Sequence, residues 1–146
     1  MANVHFTVTR DLPLSADVVF DELIDWTGHA AWVPLTRVDM LRGDGGPGTE
    51  FVATTGIGRL ALPDRMRVDE LDPSSRTARI TKIGPVLSGL VHLSVTSTGE
   101  NTSRLDWVED IRVPVVPQFL AKPVAAAALK GFQVSITRLG RLLAVK

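Results

Sequence analysis

No cysteine occurs anywhere in the chain, so disulfides, a thiol nucleophile and a cysteine-based metal centre are excluded at the outset. Tyrosine is absent too, which removes the phenol as a proton donor. The three histidines, His5, His29 and His92, are scattered, with no HxH or HExxH spacing, and there is no Walker-type glycine loop or dinucleotide fingerprint. Metal, nucleotide and nicotinamide chemistry have no support, and no cofactor is expected. Neither charge dominates: 16 basic residues balance 16 acidic ones without a block of like sign, so no nucleic-acid partner is expected. No apolar run approaches the roughly 20 residues that span a bilayer, and Met1-Ala2-Asn3-Val4-His5 lacks the basic start and apolar core of a signal peptide. The expectation is a cytoplasmic protein without stable membrane insertion.

What is present suffices for one core. Hydrophobic residues make up 45% of the 146 positions, too many for a disordered chain, and the length suits a single domain spanning residues 1–146. Val4, Phe6 and Val8 alternate with His5, Thr7 and Thr9, which predicts a strand over 3–10. Ser15 is a good helix N-cap, and Val19, Phe20, Leu23 and Ile24 form an apolar stripe, predicting a helix over 15–25. Thr27-Gly28 breaks it, and a second short helical turn over 29–33 ends at Pro34.

From Thr36 onward, alternating stretches recur between turn signals, with strands near Val38/Met40, from Phe51 to Ile57, from Leu60 to Val68, and over 76–83, 86–98 and 102–113. Leu129, Phe132, Ile136, Leu139 and Leu143 then recur at spacings of three and four, predicting a long amphipathic helix over 119–145. The fold class is α+β, with an antiparallel sheet of about seven strands that must curl at this size around the long helix. Ala125 to Ala128 on that helix, with Ala53 and Ala78 on inward strand positions, either allow close packing or leave a cavity.

The order of elements resembles the START-like superfamily, in its polyketide-cyclase/dehydrase and lipid-transport branch. The likeness is carried by Ser15-Ala16-Asp17-Val18-Val19-Phe20 leading to Leu23-Ile24-Asp25, by Trp32 before Pro34, by Gly48-Thr49-Glu50-Phe51, and by Thr102-Ser103-Arg104-Leu105-Asp106-Trp107. It implies a helix-grip fold with an internal cavity for a lipid, polyketide, quinone or similar molecule, and it does not fix a reaction.

Strand parity nominates polar residues for that cavity. Asp64 shares the inward parity of Leu60, Leu62, Met66 and Val68, and Glu109 that of Leu105, Trp107 and Ile111, so both carboxylates point inward as a candidate acid/base pair. The alternatives are that Pro63 starts a bulge sending Asp64 to solvent, and that Glu109 sits at a strand end against water or a cation. Lys82 follows Ala78 and Ile80 inward, either to pair with an inward carboxylate or an acidic ligand head group, or to snorkel to the rim. Trp32 and Trp107 are candidate ligand walls, as are Phe51, Met66, Leu129, Phe132 and Ile136, unless these merely pack the core. His29 either gates an opening or sits exposed, while His5 and His92 face outward.

Three readings follow: carriage of a small apolar ligand, an aromatase/cyclase-type enzyme using the inward carboxylates, or a protein-interaction module with an exposed apolar surface. Oligomeric state is not readable.

Overall fold

A computed structural model describes residues 2–145. Seven strands form one antiparallel sheet: β1 (Ala2–Leu12), β2 (Thr36–Arg42), β3 (Glu50–Thr55), β4 (Leu62–Asp72), β5 (Thr77–Ile83), β6 (Ser88–Gly99) and β7 (Thr102–Val113). Their order is β1-β7-β6-β5-β4-β3-β2, so only β1 leaves sequence order, crossing to pair with β7. Helix α1 (Ala16–Leu23) and a 3₁₀ segment (Trp26–Ala31) occupy the connection from β1 to β2, and α2 (Ala121–Ala144) ends the fold. This is the α+β arrangement predicted by the pattern and the helix-grip architecture implied by the resemblance.

The local causes are visible. Ser15 caps α1, its hydroxyl accepting from the Val18 N–H, and Asp17 sits in the positive first turn. In β1 alternate residues Ala2, Val4, Phe6 and Val8 are buried, while Asn3, His5, Thr7 and Thr9 between and beside them face water. On α2, Ile136, Leu139 and Leu143 are buried against the sheet and Phe132 is half-buried among them. Arg10 of β1 ties the helix down by donating to Thr137 Oγ1 at 2.7 Å. Pro123 lies in the first turn of α2, where a missing N–H breaks no helical bond.

Three expectations need correction. Leu60 belongs to a 3₁₀ turn (Gly58–Leu60) and is exposed rather than inward. Gly56 and Gly58, at φ 117° and 59°, make that turn possible, and the inward parity holds only from Asp64 onward. The alanine run does not line a cavity as a block: Ala125 and Ala128 are half-buried, whereas Ala126 and Ala127 face water. Successive helical residues are about 100° apart, so four in a row cannot share a face. Finally, the second helical element starts at Trp26 and is 3₁₀. Its period of three brings Leu23, Trp26, His29 and Trp32 onto one buried side.

Candidate functional site

Between the sheet, the 3₁₀ segment and α2 lies a cavity of about 140 Å³. One wall is aromatic: Trp26 stacks on Phe51 at 5.2 Å and 15°, and His29 lies 4.8 Å from the Trp32 ring. The other is Trp107 against Phe132, with ring centroids 4.4 Å apart. Val33, Ala53, Met66, Ile80 and Val91 complete the apolar lining.

Polar groups enter from β4, β5 and β7. Register sets them side by side: Asp64 is two residues from Met66, which pairs with Lys82, and Lys82 pairs with Gly89, which pairs with Ile111. Gly89 places no side chain between Lys82 and the inward face of β7. A Cβ there would stand 2.0 Å from the Asp110 carbonyl oxygen, so only glycine fits. Lys82 Nζ donates to Asp64 and lies 3.9 Å from both a Glu109 oxygen and Met66 Sδ. The Trp107 indole N–H donates to Glu109 at 2.9 Å, tying the second carboxylate to the aromatic wall.

These contacts decide the placements left open by parity. Lys82 is buried, not at the rim, and Glu109 is buried within β7 rather than exposed at its end. Pro63 starts no outward bulge, since Ala53 pairs with Asp64 and Phe51 with Met66 in continuous register. Burial pulls the Lys82 ammonium down, but the fields of Glu109 and Asp64 outweigh it and hold the pKa above the ordinary value of a lysine.

Of the residues nominated from sequence, Trp32, Phe51, Asp64, Met66, Lys82, Trp107, Glu109 and Phe132 line the cavity. Ile136 is fully buried in the core and Leu129 packs half-buried against it, neither lining the cavity. Trp26 and His29 were missed as wall residues, and the three-residue spacing from Leu23 to Trp32 is the signal that would have found them.

His29 corrects the expectation of a surface position. It is buried, and its Nε2–H donates to the Leu23 carbonyl at 2.6 Å. Burial lowers its pKa from 6.5, against smaller raising effects of the Leu23 carbonyl and Asp25. The unfolded chain therefore takes up the proton first, and the stability linked to His29 is lost as pH falls below about 6.5. Urea midpoints measured at neutral pH and near pH 5 should fall further for the wild type than for His29→Gln. Equal falls would place the imidazole in water.

Among the described residues no group of three or more His, Asp or Glu side chains is placed to share a metal ion, and no helix is long and apolar enough to cross a membrane.

Fold and cavity define the START-like class of helix-grip proteins. The profile of the family described as "Polyketide cyclase / dehydrase and lipid transport" matches residues 3–144, and the chain belongs to that family. Solved structures agree in fold. The Zhui aromatase/cyclase from Streptomyces sp. R1128 superposes with a TM-score of 0.80 at 16% identity, over 97% of this chain and 94% of that one. A START superfamily protein from Mycobacterium smegmatis gives 0.79 at 16% identity, over 95% and 98%. Norcoclaurine synthase from Thalictrum flavum, solved with dopamine and hydroxybenzaldehyde, gives 0.69 at 16% identity, over 94% and 86%. A search of curated protein sequences gives no match.

Proposed function

We propose that the protein binds a small, largely apolar molecule of about one ring in the cavity between the sheet and α2, holding a polar end against Asp64, Lys82 and Glu109. The single observation that carries this reading is the pairing of aromatic walls with one buried polar cluster in the same cavity. Volume narrows the ligand. An apolar cavity of about 150 Å³ accepts benzene, so 140 Å³ suits one ring and not a long acyl chain or a fused polyketide. Burying roughly 200 Å² at about 25 cal/mol per Å² offers around 5 kcal/mol before ordering costs, or sub-millimolar binding at best from apolar contact alone.

Acid/base chemistry on the bound molecule is the second reading, favoured by the two carboxylates flanking Lys82 and by the His29 imidazole in the same wall. It ranks below binding because both carboxylates already hold protein donors.

Calorimetric titration with single-ring compounds tests the binding reading, with Phe132→Ala as the companion variant. Phe132 is half-buried beside the cavity, so the substitution is expected to cost less than the ~3–5 kcal/mol of a fully packed phenylalanine while changing ligand affinity. A full-sized loss of stability with unchanged binding would assign Phe132 to the core and move the ligand elsewhere.

A further inference from the structure

Three buried side-chain polar atoms have no hydrogen-bonding partner among the described residues: Trp32 Nε1, Asp64 Oδ1 and Ser103 Oγ. Trp32 and Asp64 both line the cavity, and Trp32 is 0% exposed. The indoles of Trp26 and Trp107 are satisfied, by the Gly45 carbonyl at 2.8 Å and by Glu109. A buried polar group left unpaired is costly, and groups that line a site in this state define what a ligand must bring. Trp32 Nε1–H can only donate, and the free Asp64 oxygen accepts.

Formal charge points the same way, for two carboxylates share a single ammonium. A ligand carrying a further carboxylate would add like charge in a poorly solvated space.

Resting on the proposed one-ring site, we infer that its ligand is a neutral ring bearing both an acceptor oxygen for Trp32 and a hydroxyl that donates to Asp64, and that aromatic acids are rejected. Specificity thus lies in Trp32 and Asp64, while the stacked walls supply affinity.

Four probes of similar size separate the possibilities: para-hydroxyacetophenone gives and accepts, acetophenone only accepts, toluene does neither, and benzoate is anionic. The expected order is para-hydroxyacetophenone tighter than acetophenone, tighter than toluene, by up to about ten-fold per step, with benzoate unbound. The chain has three tryptophans, so its indole N–H resonances are few, and the Trp32 signal alone should move downfield with both ketones. Trp32→Phe should erase the preference for acetophenone over toluene, and Asp64→Asn should relax the exclusion of benzoate. Toluene binding as tightly as para-hydroxyacetophenone, or an unmoved Trp32 indole, overturns the polarity assignment and leaves the apolar site standing. Failure of all four to bind sinks the site and the inference together.

A second observation is independent of the cavity. Pairing places Val113, Ser88, Ile83, Leu62, Thr55 and Thr36 at one end of the sheet, so loops 32–35, 56–61, 84–87 and 114–120 emerge there together. Leu35, Ile57, Leu60, Val115 and Phe119 stand in these loops at 65–86% exposure. None of the four loops contains Asp or Glu, whereas Arg59 lies in one and Lys122 follows another. The opposite end carries Asp17, Asp44, Asp72 and Glu100 against Arg42 and Arg76, the latter paired with Asp17, and so holds more acid than base. A neutral chain is therefore polarised, with exposed apolar tips and cations at one end.

We propose that this end docks reversibly on an anionic lipid surface, the apolar tips entering the headgroup layer and Arg59 and Lys122 meeting lipid charge. Flotation with mixed phosphatidylcholine–phosphatidylglycerol vesicles should carry the protein upward, pure phosphatidylcholine should not, and added salt should release it. The doubly substituted Leu60→Asp, Phe119→Asp protein should melt as the wild type does yet fail to float. Absence of flotation at low salt, or equal flotation of that variant, overturns the proposal. So does a stable wild-type dimer that the same two substitutions split, which would make the end a protein interface.

Discussion

A chain ended before Pro117 is expected to show no cooperative unfolding transition at all. Ile136 and Leu139 on α2 are fully buried and Leu143 nearly so, sharing the core with Phe6, Val8 and Leu12 of β1, the strand on which α2 packs, while Phe132 lies against Trp107 of β7. Burial of such side chains contributes roughly 1.5–3 kcal/mol each, so these three account for something like 5–9 kcal/mol. Domains of this size have only about 5–15 kcal/mol in total. Removing the helix also leaves Phe6 and Trp107 facing water, and such surfaces bind apolar dyes and aggregate. Near-UV circular dichroism on heating should show a broad drift with no midpoint. A sharp transition at a temperature close to that of the intact protein would mean that the sheet is stable without its helical cover.

Strand identity was readable wherever a strand has one wet and one dry face. Val4, Phe6 and Val8 on β1, and Leu105, Trp107, Glu109 and Ile111 on β7, obey a period of two over their full length. The helix α2 was readable for the same reason at a different period. Parity also aimed Asp64, Lys82 and Glu109 inward, yet it left open whether each was buried. That outcome depends on partners in other strands, which are set by register: Lys82 meets its carboxylates because β5 stands between β4 and β6 and because Gly89 on β6 has no side chain.

The 3₁₀ wall was missed for a related reason. Spacings of two mark strands and spacings of three and four mark α-helices, whereas Leu23, Trp26, His29 and Trp32 are joined by a strict spacing of three. The alanine run misled because small residues signal space only when something else opens it. Here the bulky aromatic walls shape the cavity, and the alanines are half on the outside.

The other large effect is expected at Lys82. Replacing it by methionine keeps the length and apolar stem of the side chain but removes the charge that Asp64 and Glu109 share. Removing one partner of a buried ionic set typically costs about 3–5 kcal/mol, because the remaining charges stay uncompensated. Lys82 and Glu109 are buried and Asp64 is partly buried, with side-chain exposures of 6%, 10% and 15%. Urea denaturation of Lys82→Met at neutral pH should show this loss. Adding Asp64→Asn and Glu109→Gln in the same protein should recover much of it, since a neutral hydrogen-bonded cluster leaves no charge stranded. The pH dependence carries its own sign. The folded Lys82 pKa lies above its ordinary 10.5, so its stabilisation is fully present at neutral pH and disappears only as pH rises through the folded value. Wild type and Lys82→Met should therefore differ most near neutrality and converge on the alkaline side. A variant within about 1 kcal/mol of wild type at neutral pH, with no convergence at high pH, would show that water reaches the cluster and that burial does not set its energetics.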